Sequence, residues 1–213
     1  MPKQNRVNPF GELIVTPARG GFMGNRGVLH DDQGQLTSKR WSHNHWIICL
    51  TEFKDSKENP RPLMAPGCYT ELFFLDEATA LAAGHRPCAE CRRDDFNRYK
   101  RAWIDGNLIE GLDGFVGVGT IDQVLHRERV NSAREKGCYS AILGDLPDGV
   151  FVVLPDSPEL ARLIWKGRLW SWSPQGYGSP IEYDRTSVAS VLTPASSVKA
   201  IAAGYIPQVA IDG

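Results

Sequence analysis

Asp76-Glu-Ala-Thr-Ala-Leu-Ala-Ala-Gly-His-Arg-Pro-Cys-Ala-Glu-Cys91 is the stretch on which the fold of this chain turns. Asp76 is of the residue type that caps a helix by accepting a first-turn N–H, and Gly84 supplies the left-handed conformation at which helices stop. Between them lies a short Ala-rich helix. Beyond the Gly stop, His85-Arg-Pro delivers Cys88 and Cys91, and a CxxC pair on a tight turn aims two thiols at one point. That is the chemistry of a metal or a redox centre.

Outward from this unit, Tyr69 to Leu75 reads as a strand leading into the helix. Trp46 to Phe53, dense in β-branched and aromatic residues, reads as a buried strand upstream of it. The polar stretch Lys54 to Pro62 between them reads as a loop. Downstream, Asp94 is placed to cap a helix carrying Phe96, Tyr99 and Trp103 on one face. Phe115 to Val118 reads as a short strand, and Thr120-Ile-Asp-Gln123 has capping-box spacing at the start of another helix. From about residue 140 the pattern is predominantly β: Pro147-Asp-Gly149 turns into Val150 to Leu154, and Ile164 to Leu169 forms a hairpin. The fold class expected is α+β, a small mixed sheet with short helices followed by a β-rich C-terminal half. Residues 1–45 read as an irregular segment packed on the domain in which only Leu13 to Val15 resembles a strand, 46–135 as the cysteine-bearing region with helices, and 136–213 as the β-rich region ending in a short helix.

The last helix repeats the first. Ala200-Ile-Ala-Ala-Gly-Tyr-Ile-Pro207 matches Ala80-Leu-Ala-Ala-Gly-His-Arg-Pro87 at five of eight positions, but Gln208 stands where the first copy has Cys88. The later copy keeps the scaffold and lacks the ligand.

With 213 residues, 42% hydrophobic and 23% charged, the composition is that of a globular protein with an adequate core. A formal net charge of −1 excludes global electrostatic attraction to nucleic acid, so any such binding needs a local patch. No apolar run approaches the roughly 18 residues of a spanning helix, and Met1 to Gly20 carries no export signal, so the expected location is cytoplasmic. Five cysteines in a reducing compartment favour metal over disulfides.

Structural zinc takes four ligands in a tetrahedron, commonly two from a close pair and two from elsewhere. Cys88 and Cys91 are the close pair. Cys49 ends one predicted strand and Cys68 precedes the next, so adjacent strands would complete a four-thiolate Zn2+ site and leave Cys138 free. His43, His45 or His85 are the alternatives to Cys49 or Cys68. The plainer reading makes Cys49 a buried small hydrophobe and Cys68 a loop thiol. A thioredoxin-like redox role fits less well, because the pair follows a Gly stop and a Pro instead of opening the helix of a βαβ unit.

Phe73 to Arg92 resembles the metal-binding module of the Ada DNA-repair family, in which a strand and an EAxxAG-type helix precede RPCxxC. The resemblance covers roughly residues 46–104 and implies zinc binding at Cys88 and Cys91. The family takes its first two ligands from a CxxxC pair, which this chain lacks, and methyl acceptance belongs to that pair. The resemblance also implies DNA or RNA as partner. Arg86, Arg92, Arg93 and Arg98 cluster around the CxxC and would meet phosphates, with exposed aromatics of the following helix meeting bases; equally, those aromatics face the core and the charges form a solvated face.

A second constellation, Asp122, His126 and Glu128, lies along one helix, where a carboxylate orienting an imidazole is the construction of a general base. Surface pairing explains Asp122 and His126 as well. His126 and Cys138 are a further possible nucleophile pair. Trp165, Trp170, Trp172 and Tyr177 suit a hairpin core or the wall of a pocket for a flat base. Three functions follow: a zinc-binding protein that binds nucleic acid or serves DNA repair; an enzyme acting on nucleotides or modified nucleic acid through Asp122, His126 and Glu128; and a zinc-stabilised interaction module, favoured where the aromatics of residues 94–104 are buried and their charges paired.

Overall fold

The computed structural model describes residues 2–52, 62–107 and 116–211. The chain is α+β, as its pattern predicts. In order it runs β1 (Gln4–Val7), β2 (Leu13–Val15), β3 (Phe22–Asn25), β4 (Ile47–Leu50), β5 (Leu72–Phe74), α1 (Glu77–Ala82), β6 (Arg86–Pro87), α2 (Arg93–Gly106) and α3 (Val118–Arg129). The second half follows with β7 (Tyr139–Ile142), β8 (Phe151–Leu154), β9 (Ser157–Trp165), β10 (Arg168–Ser173), β11 (Gly176–Ile181), β12 (Val188–Val191) and α4 (Ala195–Ala202).

Six strands form a mixed sheet in the order β2-β1-β5-β3-β4-β6, and six more form an antiparallel sheet in the order β11-β10-β9-β8-β12-β7. The residues before position 46 are therefore not irregular: they contribute three strands. Their sequences hide this because buried polar residues, among them Asn5 and Asn25, occupy positions where apolar alternation is expected. In the second sheet, β8 to β11 form a meander. Its β9–β10 turn places Lys166 and Gly167 at positive φ (50° and 68°), the geometry that two-residue hairpins prefer.

One apolar cluster joins the two sheets through the helices. Ile48, Leu72 and Phe74 from the first sheet meet Tyr99 and Trp103 of α2, Ile121 and Leu125 of α3, and Val152, Ile164 and Leu169 of the second sheet. Boundaries near residues 45 and 135 thus do not divide the core.

Both copies of the repeated segment end alike. Gly84 N–H donates to Leu81 O and His85 N–H to Ala80 O; Gly204 N–H donates to Ile201 O and Tyr205 N–H to Ala200 O. Each glycine is left-handed, at φ 88° and 103°, so each helix stops in a Schellman motif. The second copy then closes onto the first. The Gln208 carbonyl accepts the N–H groups of Glu77 and Ala78 at the start of α1, while the Asp76 carboxylate accepts Thr79 N–H, Tyr177 O–H and Ala210 N–H. Gln208 therefore uses its backbone to cap a helix at the position where Cys88 uses a thiol.

Two expected starts are shifted. Asp94 lies inside the first turn of α2, whose N-cap position is Arg92, so it acts on the helix dipole and does not cap. Gly117 precedes α3, with Val118 and Thr120 already helical; Val118 ends no strand, and Phe115 lies outside the described residues, as does nearly all of Lys54 to Pro62.

Candidate metal centre

The Gly84 turn sends the chain back along the sheet edge as β6, parallel to β4, with Ile47 opposite Arg86 and Ile48 opposite Pro87. Continued by one residue, that register sets Cys49 beside Cys88, and Cys88 N–H donates to Ile48 O at 2.9 Å. The ligand atoms of Cys49, Cys88 and Cys91 all lie within 4.8 Å of one another. Metal–sulfur bonds of about 2.3 Å in a tetrahedron set sulfurs about 3.8 Å apart, so the three thiols fit such an ion with small adjustment. Cys49 and Cys88 are buried and Cys91 is partly buried.

The three thiols are electrostatically coupled. Cys88 is pulled down to about 5, first by a hydrogen bond from the Cys49 thiol and then by the N–H groups of Cys91 and Glu90; Glu90 N lies 3.4 Å from its sulfur. Cys49 is pushed up, foremost by that same bond to Cys88, and Cys91 is pushed up by burial. Three adjacent thiolates repel, so one sulfur carries the charge and its neighbours keep their protons. A dication changes that preference and takes all three as thiolates.

Cys68 is not in this group. Between β5 and β4 lies β3, antiparallel to both. Cys68 precedes β5, level with the start of β4, while Cys49 lies toward the other end. Its N–H closes a turn on Ala65 O. The sequence expectation required the two strands to be neighbours, and a strand from the N-terminal segment separates them. Among the described residues no fourth Cys, His, Asp or Glu joins the three. His85 is not a ligand: Arg26 Nε donates to its Nε2 at 3.0 Å, and its Nδ1 is 3.2 Å from Ile47 O. Burial, then the Arg26 charge, holds it well below the usual histidine range, hence neutral.

The arginines expected to meet phosphate are mostly engaged internally. Arg86 makes a two-point bond to Asp122, 2.9 Å on each side. Arg92 is buried, pairs with Glu77 at 2.9 Å and Asp95 at 2.7 Å, and covers the Phe22 ring. Arg98 pairs with Asp95. Arg93 is exposed. Tyr99 and Trp103 are in the core, and the half-buried Phe96 lies under the Arg86 guanidinium. Of the four arginines only Arg93 is exposed without an ion pair among the described residues, and the rings of α2 are in the core or half-buried, so this face lacks most of the expected nucleic-acid surface.

Asp122, His126 and Glu128 do not form one site. Asp122 bonds His45 Nδ1 at 2.8 Å in addition to Arg86. His126 Nδ1 faces Arg129 at 3.1 Å and the ring packs edge-on against Trp41. Glu128 accepts the N–H and O–H of Ser196, at 3.0 and 2.6 Å, and so caps α4. Their helical spacing was legible, but partners from distant segments claimed each side chain. Trp172 Nε1 donates to Thr79 Oγ1 and Tyr177 stacks near Phe151, so the C-terminal aromatics serve packing between the second sheet and α1.

No protein-family model, no curated protein and no solved structure matches the chain. Fold and site together define an α+β protein with a three-cysteine group able to hold a metal ion. Nothing in the comparisons ties that group to an Ada-type module. Among the described residues, no helix is long and apolar enough to cross a membrane.

Proposed function

We propose that this chain is a zinc–thiolate protein that binds nucleic acid, with Cys49, Cys88 and Cys91 holding Zn2+ in a structural role. The observation that carries the metal reading is the convergence of three sulfurs, two of them buried, from β4 and from the turn after β6. Thiolate-rich sets are the preference of zinc in structural sites. The ion would tie β4 to the start of α2, where backbone N–H groups already face sulfur. The resemblance of Phe73 to Arg92 to the Ada-type module supports nucleic acid as partner, at a surface other than the paired face of α2.

Metal analysis of the purified chain tests the zinc reading, with one zinc per chain expected and its loss in Cys88→Ser. Full occupancy in that variant would overturn it. Oligonucleotide affinity that falls as salt rises tests the partner, since each neutralised phosphate releases counterions; no affinity at low salt would remove the nucleic-acid reading.

An enzymatic reading rests on His45. Its Nδ1 is bonded to a buried carboxylate that Arg86 orients, and its side chain is 62% exposed. This is the arrangement of an oriented general base. Phosphodiester cleavage abolished in His45→Ala would support it, and cleavage that survives the substitution would overturn it.

A further inference from the structure

At the opposite end of β4 and β6 from the cysteines, about 10 Å away by strand rise, lies a cleft enclosing about 310 Å3 including the space at its mouth. Arg26, Arg40, Arg129, Arg134 and Lys136 line it with Trp46, and Glu135 is the one carboxylate among the lining residues. These cations come from three segments of the chain, around residues 26, 40 and 129–136, and are not a run of surface charge. Arg26 and Arg129 are 3% and 1% exposed.

Their partners are neutral. Arg26 donates to the unprotonated Nε2 of His85 and to Gly11 O. Arg129 donates to Gly84 O and Asn44 O, Lys136 to Ala82 O, and Arg40 to Arg134 O. Both Arg26 and Arg129 sit over the Trp46 ring, 4.1 and 4.0 Å from its centre. Arg26 Nη2 and Arg129 Nε are buried without a hydrogen-bond partner. Among the described residues none of the five cations has a carboxylate within ion-pair distance. Asp122 tempers Arg129 from farther away, but its oxygens are committed to Arg86 and His45.

Structural use alone leaves this charge uncompensated. The C-terminal ends of α1 and α3 each contribute about half a negative charge, and Glu135 is exposed and bonded to Asn131. Of the five cations Arg26 and Arg129 are buried, Lys136 is partly buried, and Arg40 and Arg134 are exposed at the rim. Burying cations without a counter-charge costs several kcal/mol, and burial pushes Lys136 down to about 7 and both Arg26 and Arg129 down to about 9. At the mouth, Arg134 is held at φ 64° with its guanidinium 4.8 Å from the centre of the Trp41 ring.

We propose that the cleft bounded by Arg26, Arg129 and Lys136, with Arg40 and Arg134 at its rim, is an oxyanion site that takes a phosphate group. Guanidinium forks and an ammonium supply the donors that phosphate oxygens accept, and Arg26 Nη2 and Arg129 Nε, on two residues that line the cleft, are donors left without a partner. The inference builds on the nucleic-acid reading by giving the phosphate a place, but a free phosphate ion or ester would present the same chemistry.

The test uses the full, metal-loaded chain, titrated calorimetrically with inorganic phosphate, pyrophosphate and single-stranded oligonucleotides with and without a 5′-phosphate. Controls contain chloride at equal ionic strength. Saturable phosphate binding is expected, weakened at least tenfold by Lys136→Met and by the rim double variant Arg40→Ala/Arg134→Ala, with zinc content unchanged. The rim variant removes exposed side chains, so it remains informative if Lys136→Met fails to fold. Preference for the 5′-phosphorylated oligonucleotide identifies a strand end as the source. Phosphate binding without oligonucleotide binding supports the site and removes the nucleic-acid reading. Oligonucleotide binding untouched by both variants does the reverse, and no saturable binding of any probe overturns the site.

Discussion

Replacing each helix-stop glycine by alanine should separate the local share of the repeated motif from the tertiary share. Gly84 and Gly204 close their helices with the same two hydrogen bonds and both have positive φ. Alanine in that conformation costs about 1–2 kcal/mol, and at Gly204 this is the whole expectation, because an added Cβ meets nothing within 4 Å. At Gly84 an added Cβ would lie 2.6 Å from Arg129 Cδ and 2.7 Å from its Cβ. Arg129 must then move, which adds overpacking of about 1–3 kcal/mol and loosens its bond to the Gly84 carbonyl. The totals are about 1.5 kcal/mol for Gly204→Ala and roughly 4 kcal/mol for Gly84→Ala. For a chain of this size these correspond to drops in Tm of about 4 °C and about 12 °C. Urea unfolding followed by tryptophan fluorescence measures the difference, and phosphate titration of the folded variants reads its consequence, since only Gly84→Ala disturbs a lining residue of the cationic cleft. Equal destabilisation by the two substitutions would refute the reasoning.

Cys49→Ser should reduce zinc occupancy as Cys88→Ser does, whereas Cys68→Ser should retain one zinc per chain; metal analysis of the three variants side by side decides this. Glu128→Ala removes the cap on α4 and should cost about 1–2 kcal/mol in urea unfolding without altering zinc content. Asp122→Asn leaves the buried Arg86 without its counter-charge and should cost about 3–5 kcal/mol, the larger loss although both residues lie on α3. Lys136 has its pKa lowered to about 7, so between pH 7 and its unfolded value near 10.5 the unfolded chain binds the extra proton and stability rises with pH. Lys136→Met should flatten that rise between pH 7 and 8.5 relative to the parent, and saturating phosphate should flatten it in the parent; unchanged slopes in both would contradict the buried-cation account.

The unit from Asp76 to Cys91 was legible because its determinants are local. A capping carboxylate, a left-handed glycine and a CxxC act within a few residues of themselves, and the structure has the cap at Thr79, the stop at Gly84 and the paired thiols as read. The β9–β10 hairpin was legible for the same reason. Cys49 was found from strand pattern, but its proposed companion Cys68 was not, since that depended on strand order. β1 and β3 were hidden because they bury Asn5 and Asn25 and show no apolar alternation. The insertion of β3 between β4 and β5 then set Cys68 apart from the other thiols.

Charge was the property least readable in one dimension. Arg86, Arg92 and Arg98 look like a basic patch beside the CxxC, but Asp122, Glu77 and Asp95 neutralise them. Arg26, Arg40, Arg129, Arg134 and Lys136, scattered over more than a hundred positions, line one cleft instead. Propensity, capping and ligand spacing are short-range, so the sequence alone determined that this is an α+β protein carrying a thiol pair on a Gly turn. Which sulfurs meet, and which cations keep or lose their counter-charges, depends on sheet order and helix packing between distant segments, so only the tertiary structure decided them.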